Sequence, residues 1–137
     1  NIGDVTPDML DPRPSLGVID LSYLSLQVSV PIVANLLGKE EEPEIVALVK
    51  PLFEVPAAVS DLTEEQYRAA LGRALSAGIP AGMAPRAVMA SPVLGSRGTL
   101  EFLAWYTAGP LFTRDVALAQ VDEAIRAGMV LLSKAQG

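Results

Sequence analysis

The sequence predicts an α/β domain in which three parallel strands and one reversed, antiparallel strand form a sheet with flanking helices. Three features support this prediction: two near-continuous apolar runs at residues 16–20 and 44–50, an apolar stripe of fourfold spacing between them, and two later strands joined by a short connection. Apolar runs without alternation are typical of parallel strands that are covered on both faces. We therefore expect both faces of the sheet to be covered.

The two apolar runs end in opposite charges, the carboxylate of Asp20 and the ammonium of Lys50. The intervening residues 23–37 place four aliphatic side chains on one helical face: Leu24, Val28, Ile32 and Leu36. This segment is therefore predicted to be the crossover helix between the two strands. Pro31 lies in its middle, which predicts either a kink or a late start of the helix.

Two further helices are predicted downstream. Thr63 and Gln66 have the spacing of a capping box, and Gly78 ends the apolar stripe that follows them. A final helix is predicted over residues 116–132, with an apolar face made of Leu118, Val121, Ile125, Met129 and Leu132. Strands and helices thus alternate up to the third strand.

The last two predicted strands, residues 84–90 and 100–106, are joined by a connection too short for a parallel crossover, which needs about a dozen residues. The fourth strand is therefore predicted to run antiparallel to the other three. Its direction brings Glu101, near its start, to the edge where Asp20 and Lys50 end their strands. Ligands bind at that edge in open α/β sheets. The strand after Glu101 is apolar and is expected to be buried on both faces, where a carboxylate needs a partner.

The composition restricts the chemistry of this chain. Half of its 137 residues are hydrophobic, which suits one compact domain. Cysteine and histidine are absent, which excludes disulfides, Cys or His metal sites, Cys nucleophiles and Ser-His-Asp triads. Proton transfer must therefore use Lys, Asp, Glu or Tyr, and no metal site is predicted.

The charge distribution argues against tight binding of RNA by this chain alone. The formal net charge is -6, and the excess acid lies in residues 1–60, with nine acidic and three basic side chains. A protein that binds phosphates through its own surface is expected to be basic. Residues 18–37 are the most apolar stretch, but Asp20 and Pro31 interrupt it, so neither a membrane span nor a signal peptide is predicted and a cytoplasmic protein is expected.

Three segments at the predicted edge resemble successive motifs of one protein family. They are residues 20–26 (DLSYLSL), 46–54 (VALVKPLFE) and 91–102 (SPVLGSRGTLEF). In this order they are similar to motifs of the TlyA family, proteins labelled haemolysins that methylate ribose 2'-hydroxyls in ribosomal RNA and belong to the wider FtsJ-like group. The resemblance covers residues 1–106 and implies the second half of a class I, Rossmann-like methyltransferase fold.

The resemblance also implies an active-site tetrad of Lys, Asp, Lys and Glu, of which this chain would supply Asp20, Lys50 and Glu101, with Lys50 as the general base. It implies S-adenosylmethionine as cofactor, with Asp20 and Leu21 among its contacts, and ribosomal RNA as partner of the complete parent protein. Residues 1–110 would form the C-terminal half of the catalytic domain, and residues 111–137 a helix packed on the same domain. The first lysine of the tetrad, a Gly-rich turn for the cofactor and a small RNA-binding domain are expected upstream of this chain.

Each of these residues also has an ordinary structural interpretation. A carboxylate such as Asp20 often caps the turn after its strand, a lysine before proline is often solvated, and Gly95 and Gly98 are expected to form a turn in preference to a phosphate cradle. The alternative function is a non-catalytic interaction module, derived from a methyltransferase half-domain, that forms a homo-oligomer through an exposed sheet edge. A nicotinamide-dependent enzyme would need a Gly-rich fingerprint upstream and would leave these charged positions unexplained.

Overall fold

The computed structural model describes residues 1–39, 42–55, 62–110 and 114–137. These residues form a mixed four-stranded sheet with helices packed against it. The strands are β1 (Leu16–Ile19), β2 (Glu44–Val49), β3 (Met83–Ala90) and β4 (Phe102–Ala108). The helices are α1 (Leu26–Leu36), the single turn α2 (Pro51–Glu54), α3 (Glu64–Ser76) and α4 (Arg114–Ala135).

The sheet has the strand order β1-β2-β4-β3. β1 and β2 are parallel, whereas β4 is antiparallel to both β2 and β3. The prediction of three strands in one direction and one reversed strand is therefore confirmed. The reversed strand lies between β2 and β3, an order that the length of the connection could not predict. It also begins at Phe102 and ends at Ala108, later at both ends than expected.

The start of α1 lies three residues after the predicted start, at Leu26, with Ser25 as its N-cap residue. The helix therefore starts later than residue 23, but Pro31 lies inside it and not at its start. The residues before it form a loop, residues 20–25, in which Tyr23 has a left-handed backbone with φ of 65°. A residue in that conformation cannot extend a right-handed helix, which explains why α1 begins later.

The start of α3 confirms the predicted capping box. Thr63 Oγ1 accepts a hydrogen bond of 3.2 Å from the Gln66 amide, and Gln66 Oε1 accepts one of 2.9 Å from the Thr63 amide. Two amide groups that have no partner within the helix are thereby satisfied. The cap fixes where α3 begins. The buried side chains of α3 include Tyr67 and Leu71.

The core lies on one face of the sheet. Buried side chains of α1, α3 and α4 join those of β1, β2 and β4 in one cluster, which includes Val30, Leu71, Ile125, Ile45 and Phe102. The expectation that both faces are covered is wrong for the described residues, because Val18 is 74% and Trp105 41% exposed on the other side. Apolar side chains on both faces of a strand show only that each face can be buried.

The last helix is longer than predicted and only part of its expected apolar face is buried. Val121 and Ile125 lie in the core, whereas Leu118 and Met129 are exposed. Gly128 lies against Leu100, where a β carbon would collide with the leucine side chain. In the described part of the chain, no helix has both the length and the apolar character needed to cross a membrane.

Candidate active site

Asp20 and Lys50 meet at the carboxyl ends of the two parallel strands. Asp20 directly follows β1 and Lys50 directly follows β2, and the parallel register pairs Ile19 with Ala47. Lys50 Nζ lies 2.7 Å from Asp20 Oδ1 and also donates a hydrogen bond of 3.4 Å to Ser22 Oγ. The Lys50 side chain is 18% exposed and that of Asp20 67%, so the lysine is the more buried partner of the pair.

Glu101 reaches the same edge from the opposite strand direction. β4 pairs Phe102 with Val49, so the residue before β4 lies next to the residue after β2. Burial raises the pKa of the Glu101 carboxyl, the Lys50 charge opposes this shift, and the Asp20 charge adds to it. Asp20, Lys50 and Glu101 therefore form one electrostatic group, as their places on the strands predicted.

The loop that precedes Glu101 is shaped around its carboxylate. Gly95 and Gly98 close a tight turn, with hydrogen bonds of 2.8 Å from the Gly95 amide to Thr99 O and 3.1 Å from the Gly98 amide to Gly95 O. The turn interpretation of these glycines therefore agrees with the structure. A β carbon at Gly95 would collide with the carboxylate of Glu101, so a larger residue at this position would displace that side chain.

A cleft of about 430 Å³ opens beside the charged group. Its lining combines charged, aromatic and aliphatic side chains, among them Lys50, Glu101, Arg97, Tyr23, Phe53 and Tyr67. The Tyr23 and Phe53 rings are 5.4 Å apart between centroids, and the Tyr23 side chain is 90% exposed. Lys50 and Glu101 thus face a cavity large enough for a small ligand.

Two residues of the cleft have strained backbones. Tyr23 and Arg97 have φ of 65° and 62°, and they are the non-glycine residues with positive φ in the described chain. Each such residue costs on the order of 1–3 kcal/mol, and such strain is often concentrated at functional sites. Neither conformation is predictable from the sequence, because tyrosine and arginine give no local signal for a left-handed backbone.

Leu21 lies in a different environment from Asp20. Its side chain packs against the hydrophobic core, while the Asp20 carboxylate is directed to solvent and to Lys50. Glu54 was not a predicted site residue, yet it is buried at 3% exposure only four positions after Lys50. Among the described residues, no group of three or more acidic side chains is arranged to hold a metal ion.

Comparisons with known proteins identify similar sequences and similar folds. No family model matches the chain. The 16S/23S rRNA (cytidine-2'-O)-methyltransferase TlyA from two strains of Mycobacterium tuberculosis is 32% identical over 111 residues, which are 77% of this chain. The chain spans 40% of the length of these curated relatives.

Two solved structures share the fold. One is a protein from Streptococcus thermophilus described as a candidate hemolysin, with a TM-score of 0.85, 25% identity and coverage of 99% of this chain and 50% of that one. The other, from Lactococcus lactis and described in the same way, has a TM-score of 0.79 and 20% identity. The matched region covers 93% of this chain and 62% of that one.

Proposed function

Because this chain is a homologue of the TlyA ribosomal RNA methyltransferases, we propose that it carries the catalytic edge of an RNA 2'-O-ribose methyltransferase that uses S-adenosylmethionine. The observation that supports this most directly is the group of Asp20, Lys50 and Glu101, which three separate strands bring to one edge of the sheet. Lys50 and Glu101 line the cleft at this edge. In this proposal the chain forms the C-terminal half of the catalytic domain, with residues 1–110 as its body and residues 111–137 as a helix packed on it. The first lysine of the tetrad, the Gly-rich turn and the RNA-binding domain come from outside this chain.

Lys50 is the general base of the proposed reaction. Its Nζ would accept the proton of the ribose hydroxyl, and bound S-adenosylmethionine would supply the methyl group to the hydroxyl oxygen. Asp20, at 2.7 Å, orients that nitrogen, and Glu101 lines the same cleft as Lys50. The Lys50 side chain is 18% exposed and lines the cleft, where it can reach a bound ligand.

Asp20 and Leu21 are the residues of this chain that would hold the cofactor, at the carboxyl end of β1. Their environment fits a ligand with positive charge, because the Asp20 carboxylate is 67% exposed and only one of its oxygens contacts Lys50. When bound, S-adenosylmethionine supplies the electrophilic methyl group on a cationic sulfur. The chain contributes the acceptor that attracts this charge.

The mouth of the cleft suits a nucleotide. The exposed Tyr23 ring beside Phe53 offers a surface for stacking of an unpaired base, which is how proteins commonly recognise RNA outside its helices. Arg97 is exposed and forms no ion pair with any described residue, so its guanidinium can bind a phosphate. With these two side chains the cleft would recognise a whole flipped-out nucleotide and not only its ribose.

Replacement of Lys50 tests the proposal. In the protein as its gene encodes it, Lys50→Ala should reduce methyl transfer to unmethylated ribosomal RNA by at least about a hundredfold, the typical effect of losing a general base. Lys50→Arg should not restore activity, because a guanidinium keeps its proton. Lys39→Ala, at an exposed lysine outside the cleft, is the control. Activity in both Lys50 variants equal to that of the control would refute the role of Lys50.

A second candidate function is a non-catalytic interaction module. β1 is an edge strand that pairs only with β2 among the described strands, and Leu16 and Val18 on it are exposed. Unpaired backbone groups beside apolar side chains favour association with another chain. This function predicts that Lys50→Ala leaves the biological role unchanged, whereas the methyltransferase proposal predicts its loss.

A further inference from the structure

Glu54 is the buried carboxylate of this chain that the proposed chemistry does not use. It ends α2 and is 3% exposed, although charged side chains are almost never fully buried unless paired. Its Oε1 accepts a hydrogen bond of 2.8 Å from the backbone amide of Leu26. Its Oε2 is buried without a hydrogen-bond partner in the described structure. Such a costly arrangement calls for a structural reason.

The bond from Leu26 shows what Glu54 does for the backbone. Leu26 is the first residue of α1, and its N-cap residue Ser25 makes no capping bond with its side chain. The first amides of a helix have no partner within the helix, and a carboxylate at that end also interacts favourably with the helix dipole. Glu54 therefore caps α1 from 28 positions away in the sequence, in place of the local residue.

The same bond closes the loop of residues 20–25. At the start of this loop Asp20 is joined to Lys50, which directly precedes α2. At its end Leu26 is joined to Glu54, the last residue of α2. Between these two attachments lie Ser22, which accepts a bond from Lys50, and the strained Tyr23, which packs on Phe53 of α2. A loop with a left-handed tyrosine needs such attachments to keep one conformation.

We propose that Glu54 is a positioning residue that clamps the loop of residues 20–25 onto α2, and thereby holds Asp20 and Tyr23 in register with Lys50. The clamp itself is a statement about this chain alone, whereas its consequence for catalysis rests on the proposed methyltransferase function. Burial raises the pKa of the Glu54 carboxyl, and this shift is opposed by the Leu26 amide and by the charge of Arg73. A neutral carboxyl keeps the acceptor oxygen that the clamp requires.

The test measures loop position directly in the 137-residue chain. Ring-to-ring nuclear Overhauser effects between Tyr23 and Phe53 should be lost in Glu54→Ala and retained in Glu54→Gln, which keeps an acceptor oxygen. Glu54→Asp, which is one methylene shorter, should weaken them even if the alanine variant does not fold. Ile125→Val is the matched control, because removing one methylene from the core of α4 destabilises the fold to a degree similar to the loss of a helix cap.

The second readout is the kinetics of methyl transfer in the protein as its gene encodes it. Glu54→Ala should lower kcat by roughly tenfold to a hundredfold, the cost of a misplaced catalytic group, while KM for RNA changes less. Ring contacts and kcat in Glu54→Ala equal to those of Ile125→Val would overturn the clamp, as would equal losses in Glu54→Ala and Glu54→Gln. If the ring contacts respond as expected but the unmodified protein transfers no methyl group, the clamp stands and the proposed function fails.

Discussion

At the scale of single residues, the candidate site depends on how each charge is held. Lys50 is held by Asp20 at 2.7 Å, and Glu101 is held in the cleft by a glycine turn that leaves no room for a β carbon at Gly95. Glu54 differs from these, because it is almost fully buried and one of its oxygens lacks a partner in the described residues. Its ionisation must therefore affect the stability of the fold.

The pH dependence of stability should reveal the state of Glu54. Because burial raises its pKa in the fold, the neutral form stabilises the native state, and this stabilisation is complete below the unfolded value of about 4.3. It is lost as the pH rises through the folded-state pKa. Measured by urea unfolding and compared with Glu54→Gln, the free energy of unfolding of the unmodified chain should thus decrease as the pH rises from the unfolded-state pKa to the folded-state pKa. At higher pH it should stay constant.

A difference in free energy of unfolding between the two proteins that stays constant from about pH 3.5 to about pH 8 would contradict this expectation. This range begins about one unit below the ordinary carboxyl pKa and ends well above it. The measurement needs no activity and no cofactor. Arg73 acts in the opposite direction on the same carboxyl, so Arg73→Ala should widen the difference.

At the scale of elements, the site is assembled by loops that follow or precede strands. The loop of residues 20–25 leaves β1, α2 follows β2, and the turn at Ser96–Gly98 precedes β4. Asp20 begins the first segment, Lys50 directly precedes α2 and Glu101 follows the turn, and each segment contributes residues that line the cleft. Where the turn meets Glu101, no space is left for a β carbon at Gly95.

Replacement of Gly95 by alanine should disturb the site without unfolding the chain. The new methyl group would collide with the Glu101 carboxylate and displace it, so methyl transfer should fall by about a hundredfold, as expected for a shift of about 1 Å. Gly72→Ala is the matched control, because its β carbon meets nothing within 4 Å and alanine favours an α3 interior by roughly 0.5–1 kcal/mol.

Thermal unfolding of both variants, followed by circular dichroism, separates the two effects. Gly72→Ala should raise the Tm, and Gly95→Ala should leave the helical signal intact while activity is lost. Full activity in Gly95→Ala would show that the position of Glu101 does not matter for the reaction.

At the scale of the whole molecule, the sheet is covered by helices on one face only in the described structure. The opposite face exposes apolar side chains of β1, β3 and β4, namely Leu16, Val18, Met89 and Trp105. The indole N–H of Trp105 has a hydrogen-bond partner there, since it donates a bond of 2.7 Å to the Glu44 carboxylate. A face of this kind together with an edge strand favours association.

We expect the 137-residue chain to self-associate through this surface. Val18→Lys places a charge on β1 at a residue that is 74% exposed, so it should reduce the average mass measured by light scattering at high concentration. Val130→Lys, at an exposed valine of α4, is the control and should leave association unchanged. A monomeric unmodified chain at high concentration would contradict this prediction.

The sequence by itself determined the local order of this protein. Apolar periodicity and cap signals predicted each strand and each of the three longer helices to within a few residues, and the short connection before the fourth strand required it to reverse. From strand directions alone, Asp20, Lys50 and Glu101 had to share one edge of the sheet, because the carboxyl ends of parallel strands and the start of a reversed strand lie together.

Tertiary structure decided which elements are neighbours. Periodicity shows which face of an element is apolar, but not which element covers it, so the position of β4 between β2 and β3 and the open face of the sheet were not predictable. The left-handed Tyr23 and Arg97 carry no local sequence signal. The bond from Leu26 to Glu54 joins residues 28 positions apart, and such a contact exists only because the packing of α1 against β2 brings a buried carboxylate to a helix end.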